Sequence, residues 1–180
     1  MTELLDIDFL GDERLRARLT RWSLVLLACG LVATFAVAPL LTSGVTLRPL
    51  PALALLVGVT LVSLSVHELV HALFFRLLGG RGVRVRFGHA DGMLYAGCPG
   101  LVLTRGRFLV VLLAPTVVLT VALVLIGMVF DLLFIALLAA SFHLSGCVGD
   151  LLAAWIVARE SACTHCQDTK VGVRLLAAKA

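Results

Sequence analysis

Four apolar stretches dominate the chain: residues 22–41, about 50–78, 108–130 and 132–158. Each has roughly the 20 or more residues that a helix needs to cross a bilayer. Hydrocarbon leaves a backbone no water to bond, so a spanning segment of this kind must pair its amides internally, as a helix. The expected fold class is therefore an all-α membrane protein with four transmembrane helices. Composition agrees: 61% of the 180 residues are hydrophobic and mean hydropathy is +1.08, against about 45–50% apolar residues in soluble domains.

The charges are sparse, 15 Lys and Arg against 11 Asp and Glu, and they cluster. Arg14, Arg16, Arg18 and Arg21 precede the first span; Arg81, Arg84, Arg86, Arg105 and Arg107 follow the second; Arg159, Lys170, Arg174 and Lys179 follow the fourth. The other two connections hold only Arg48 and Asp131. Alternation of positive charge predicts cytoplasmic N- and C-termini. The domain plan that follows is a cytoplasmic N-terminal tail over 1–21, a four-helix transmembrane domain over 22–158 and a cytoplasmic C-terminal tail over 159–180. No basic face interleaved with aromatics accompanies the net charge of +4, so nucleic acid is not an expected partner. The N-terminus does not read as a cleavable signal, because acidic and basic residues occupy it until Trp22.

The connection over 79–107 contains "VRVRF", "HADG" and "MLYAG". Alternation, a turn signal and a second β-rich run predict a β-hairpin on the cytoplasmic side between the second and third helices. Arg alternating with Val suits lipid headgroups or a solvated loop. The C-terminal "QDTKVG" reads as a turn.

The second span carries His67, Glu68 and His71 in the pattern H-E-x-x-H. On a helix the two histidines lie ~40° apart around the axis and ~6 Å along it, so both imidazoles reach one metal ion. Glu68 stands beside them as a general base for a water. With five His and four Glu in the chain, a chance match has a probability of roughly 0.3%. An acid inside a span is costly unless paired, so such residues default to function. The bland alternative is a polar cluster tying helices together.

A catalytic zinc takes three protein ligands and keeps one position open. Asp150 is the one remaining carboxylate well inside an apolar stretch, since Asp131 falls at a helix junction. Arg76 and Arg159 mark the same membrane face, and counting back from them puts His71 and Asp150 about 8–14 Å inside it. His143, seven residues before Asp150, is too far along the axis to share an ion with it. Lining the substrate path, bonding a carbonyl and an interhelical polar contact all stay open for it. Cys147 lies between them, and packing is its expected role. Cys163 and Cys166 form half a structural zinc site and read as free thiols, and five cysteines cannot all pair. His89 is expected to face solvent, and Pro115 to kink the third helix.

"VHELVHALFF", "FGHADGMLYAG", "TRGRFLVVLLAP" and "HLSGCVGDLL" together resemble the zincin peptidase family of small membrane proteins, itself similar to the site-2 protease class of intramembrane metalloproteases. The likeness runs from about Ser63 to Asp168. It implies His67 and His71 as ligands to Zn2+, Glu68 as the catalytic acid–base and Asp150 as third ligand. In that class an Asn helps to hold substrate about two turns before the Asp. Here His143 occupies the position and inherits the substrate-binding expectation. The activity implied is zinc-dependent cleavage of a membrane protein or peptide substrate within the lipid bilayer. A non-catalytic metal- or haem-binding protein, with His67 and His143 as axial ligands, is the alternative, along with an inactive, structural member.

Overall fold

The computed structural model describes residues 1–9, 11–41, 48–90, 93–170 and 172–178. In chain order the elements are β1 (Thr2–Asp8), α1 (Glu13–Leu41), α2 (Pro49–Gly79), β2 (Arg86–Ala90), β3 (Met93–Gly97), β4 (Val102–Thr104), α3 (Arg105–Val129), α4 (Leu133–Gly146), α5 (Val148–Arg159), β5 (His165–Asp168) and β6 (Gly172–Ala177). Among the described residues, three helices are long and apolar enough to cross a membrane: Glu13–Val37, Pro49–Gly79 and Arg105–Val129. A fourth is added if α4 and α5 count as one broken span. Large apolar side chains on these helices are exposed, among them Val32, Leu40, Leu53, Leu61 and Leu125. That outward apolar surface suits lipid rather than water.

The chain is not all-α. A four-stranded antiparallel sheet, in the order β1-β6-β5-β4, is built largely from the two segments expected to be tails. Strand β1 pairs with β6 from Thr2↔Ala177 to Asp8↔Gly172. The strands alternate in burial as a half-covered sheet must. Val173 and Leu175 of β6, with Cys166 of β5, face the core. Arg174 points outward to Glu3 (3.1 Å) and Asp6 (2.6 Å) on β1. Gly172 has no substitute here, because a Cβ would overlap the Ile7 carbonyl oxygen.

The hairpin between the second and third long helices is present as the separate β2–β3 sheet, paired from Arg86↔Gly97 to Ala90↔Met93. Its turn at 91–92 lies outside the described residues. Val83 and Val85 pack on the core while Arg84 and Arg86 are exposed, so the Val–Arg alternation sorts apolar from charged faces. His89 is exposed, as expected.

The chain divides into two compact units. The first comprises Met1–Leu19, Glu68–Pro115 and Gly149–Ala180. Its core gathers Phe75, Phe108, Val111, Leu112, Ala153, Val157 and Leu175. Arg105 donates to the carbonyls of Val157 (3.0 Å) and Ala158 (2.5 Å) at the end of α5, and Arg107 to that of Leu78 at the end of α2 (3.4 Å). Cations at helix C-termini satisfy carbonyls that have no partner in the helix. Two arginines of the long connection are therefore helix caps.

The second unit comprises Thr20–His67 and Thr116–Val148. Small residues set its packing: Gly30 lies against Ser141, and Gly127 against Ala136. Close backbone approach of this kind is how helices associate in lipid. Thr34 and Ser141 share a buried hydroxyl hydrogen bond of 3.2 Å. Asp131, at φ 55, reverses the chain after α3, with the Leu132 N–H bonded to the Gly127 carbonyl. It serves the helix junction, as its position suggested.

Candidate metal centre

Helix α2 buries Ser63 and both of its histidines while several of its leucines are exposed. Ser63, His67, Val70, His71 and Phe75 are buried at helical spacing, while Leu64, Leu69, Leu73 and Leu77 are exposed. In a soluble protein that arrangement would be inverted; in lipid it is the stable one.

In the first unit, His71 is held by two partners. Its Nδ1 lies 3.1 Å from the Val111 carbonyl oxygen. A carbonyl only accepts, so Nδ1 carries the proton and the Nε2 lone pair is left for a metal or an acid. Val111 is available because Pro115 stands four residues later inside α3. Proline has no N–H, so the helical bond to residue i−4 cannot form. Pro115 thus frees the acceptor that sets the His71 tautomer. Orientation of a ligand imidazole by a carbonyl behind it is the usual outer-shell arrangement at metal sites.

On its other side, His71 Nε2 lies 3.5 Å from Asp150 Oδ2. Asp150 is in the first turn of α5, where the helix dipole favours negative charge. A separation of 3.5 Å is long for a hydrogen bond. It matches the ~3.4 Å expected between a nitrogen and an oxygen sharing one tetrahedral zinc at ~2.0–2.2 Å. The donor pair therefore fits the metal.

In the second unit, His67 Nδ1 lies 3.1 Å from His143 Nε2, with the rings edge to face. Cys147 Sγ lies 3.8 Å from the first nitrogen and 3.6 Å from the second. His143 is 1% exposed and Cys147 is fully buried. Cys147 sits where the fourth apolar stretch breaks between α4 and α5, its N–H shared by the carbonyls of His143 and Leu144. Gly146 and Gly149 flank it, and glycine is a poor helix former.

His67 and His71 stand one turn apart on α2, with Glu68 between them, half-buried. The structure brings His71 to Asp150 and His67 to His143 and Cys147. Two features escape a reading of side-chain patterns. The Val111 carbonyl is a backbone group, legible only by counting four residues back from Pro115. Cys147 lies among the histidines rather than serving as simple packing. Cys163 and Cys166 are free buried thiols, their sulfurs 3.7 Å apart.

Long apolar helices that carry buried histidines, one of them beside a carboxylate, belong to a membrane protein with donor groups able to hold a metal ion. The chain belongs to the family described as "Putative zincin peptidase", whose model matches residues 60–164. That range includes His67, Glu68, His71, Val111, Pro115, His143, Cys147 and Asp150. No curated protein and no solved structure matches the chain.

Proposed function

We propose that the protein is a zinc-dependent, membrane-embedded peptidase that hydrolyses peptide bonds of membrane-protein substrates. The observation that carries this reading is the His71–Asp150 pair, 3.5 Å apart, with the His71 tautomer fixed from behind by Val111. His67, one turn up the same helix, supplies the third ligand. When bound there, zinc supplies Lewis acidity, making water a nucleophile near neutral pH and polarising a carbonyl.

The remaining work falls to the chain. His67, His71 and Asp150 would hold the ion. Glu68 takes a proton from the attacking water as its oxygen bonds to the carbonyl carbon. It returns that proton to the amide nitrogen as the C–N bond breaks and the amine leaves. A substrate helix has to unwind locally to offer its carbonyl, because helical carbonyls are already bonded. The β2–β3 hairpin has strand edges to which such an extended segment can add. Both termini and the hairpin lie on the cytoplasmic side, as the arginine-rich connections favour, and α4 with α5 forms the fourth span.

The test is purification of wild type and Glu68→Gln in detergent, with zinc content and cleavage of model membrane substrates measured on the same samples. Zinc in both and cleavage only by wild type is expected. Absence of zinc from both, or equal cleavage by both, contradicts the reading.

A further inference from the structure

We infer that His67, His143 and Cys147 form a second metal site, distinct from the His71–Asp150 pair and suited to a thiophilic transition-metal ion such as zinc. The three ligand atoms belong to one unit of the structure and are all buried. Their separations are 3.1 Å between His67 Nδ1 and His143 Nε2, 3.6 Å between His143 Nε2 and Cys147 Sγ, and 3.8 Å between His67 Nδ1 and Cys147 Sγ. Around a tetrahedral zinc, two nitrogens at ~2.1 Å stand ~3.4 Å apart, and a nitrogen and a sulfur at ~2.3 Å stand ~3.6 Å apart. All three observed edges lie within about 0.3 Å of those values.

A hydrogen bond explains one edge but not the triangle. An imidazole pair alone needs only the 3.1 Å contact, and the thiol could turn its proton to the His143 carbonyl, 3.2 Å from Sγ. Yet the sulfur also approaches both ring nitrogens, which a packing role does not require. Metal binding displaces the thiol proton and leaves a thiolate facing two imidazoles, a borderline-soft donor set. The helix break at Cys147 puts its side chain in reach of the preceding turn, so His143 and Cys147 present to one point.

His67 serves this cluster through Nδ1, so the role proposed for it in the peptidase centre falls to the ring's other nitrogen. Filling both positions at once requires the ring to lose its remaining proton and act as imidazolate. His143 thereby takes a ligand's role in place of a substrate-facing one, which suits a ring that is 1% exposed. The inference stands on the second unit alone and does not depend on catalysis.

The test loads the full-length chain in detergent with Co2+ as a spectroscopic probe for zinc. A near-ultraviolet thiolate-to-cobalt charge-transfer band is expected in wild type, retained in Asp150→Ala and lost in Cys147→Ala. X-ray absorption on the zinc-loaded protein should show a zinc–sulfur distance of about 2.3 Å together with imidazole scattering, kept when Cys163 and Cys166 are both replaced by alanine and lost in Cys147→Ala. Wild type with no thiolate band and no zinc–sulfur scattering overturns the inference and leaves His143 as a hydrogen-bonded support for His67. Failure of the peptidase reading looks different: the band persists in Asp150→Ala while wild type cleaves nothing.

Discussion

His71 Nδ1 lies 3.1 Å from the Val111 carbonyl oxygen, and that carbonyl has no helical donor because Pro115 occupies the position four residues on. A helix defect in α3 therefore sets the tautomer of a histidine on α2. Pro115→Ala restores an N–H that competes for Val111. Alanine is the better helix former by about 3 kcal/mol, so thermal stability should not fall. Zinc affinity should drop by about 10- to 100-fold, the usual cost of losing an outer-shell partner. Chelator competition measures it, and unchanged affinity would show that the Val111 contact does not orient His71.

Asp168 of β5 is buried and accepts the Cys98 N–H at 2.6 Å. Burial pushes its carboxyl up from 3.8 to about 6, against the pull of that hydrogen bond and of His71. A carboxyl with a raised folded pKa favours the native state while protonated. Its contribution is complete below about pH 4 and is lost as pH rises through 6, about 3 kcal/mol for a shift of roughly two units. Asp168→Asn keeps an acceptor and removes the charge. The variant should melt higher than wild type at pH 8 and close to it at pH 4. The reverse order in a pH series of thermal melts would assign Asp168 a stabilising charge.

Gly172 faces the Ile7 carbonyl with no room for a Cβ. Gly172→Ala should push β1 away from β6 at a cost of about 1–3 kcal/mol. Hydrogen exchange over Thr2–Asp8 should accelerate while α2 and α3 keep their protection. Unchanged exchange in β1 would mean that the strand adjusts without cost.

The helices and the H-E-x-x-H element were legible because their signals are local. Long apolar runs set α1, α2 and α3, while the fourth run is divided into α4 and α5, and spacing along a single helix sets His67 one turn from His71. The β2–β3 hairpin was legible for the same reason, with two short runs flanking one turn. The four-stranded sheet was not. Thr2 pairs with Ala177, and strands of three to seven residues leave no periodicity strong enough to announce a partner so distant. Arg105 and Arg107 read as membrane-face charge, whereas their acceptors are carbonyls at helix ends that no side-chain pattern records. Asp150 could be placed level with His71 by counting from Arg76 and Arg159. The triangle of His67, His143 and Cys147 depends on how α2, α4 and the break after α4 converge, and spacing along the chain does not encode that.

The zinc site at His67, His71 and Asp150 is the central claim, and zinc retention with and without Asp150 tests it most directly. In a Cys147→Ala background, which removes the second site, the chain should hold one zinc. Adding Asp150→Ala should abolish retention under chelator competition while far-ultraviolet circular dichroism stays unchanged. Equal zinc affinity with and without Asp150 would contradict the account.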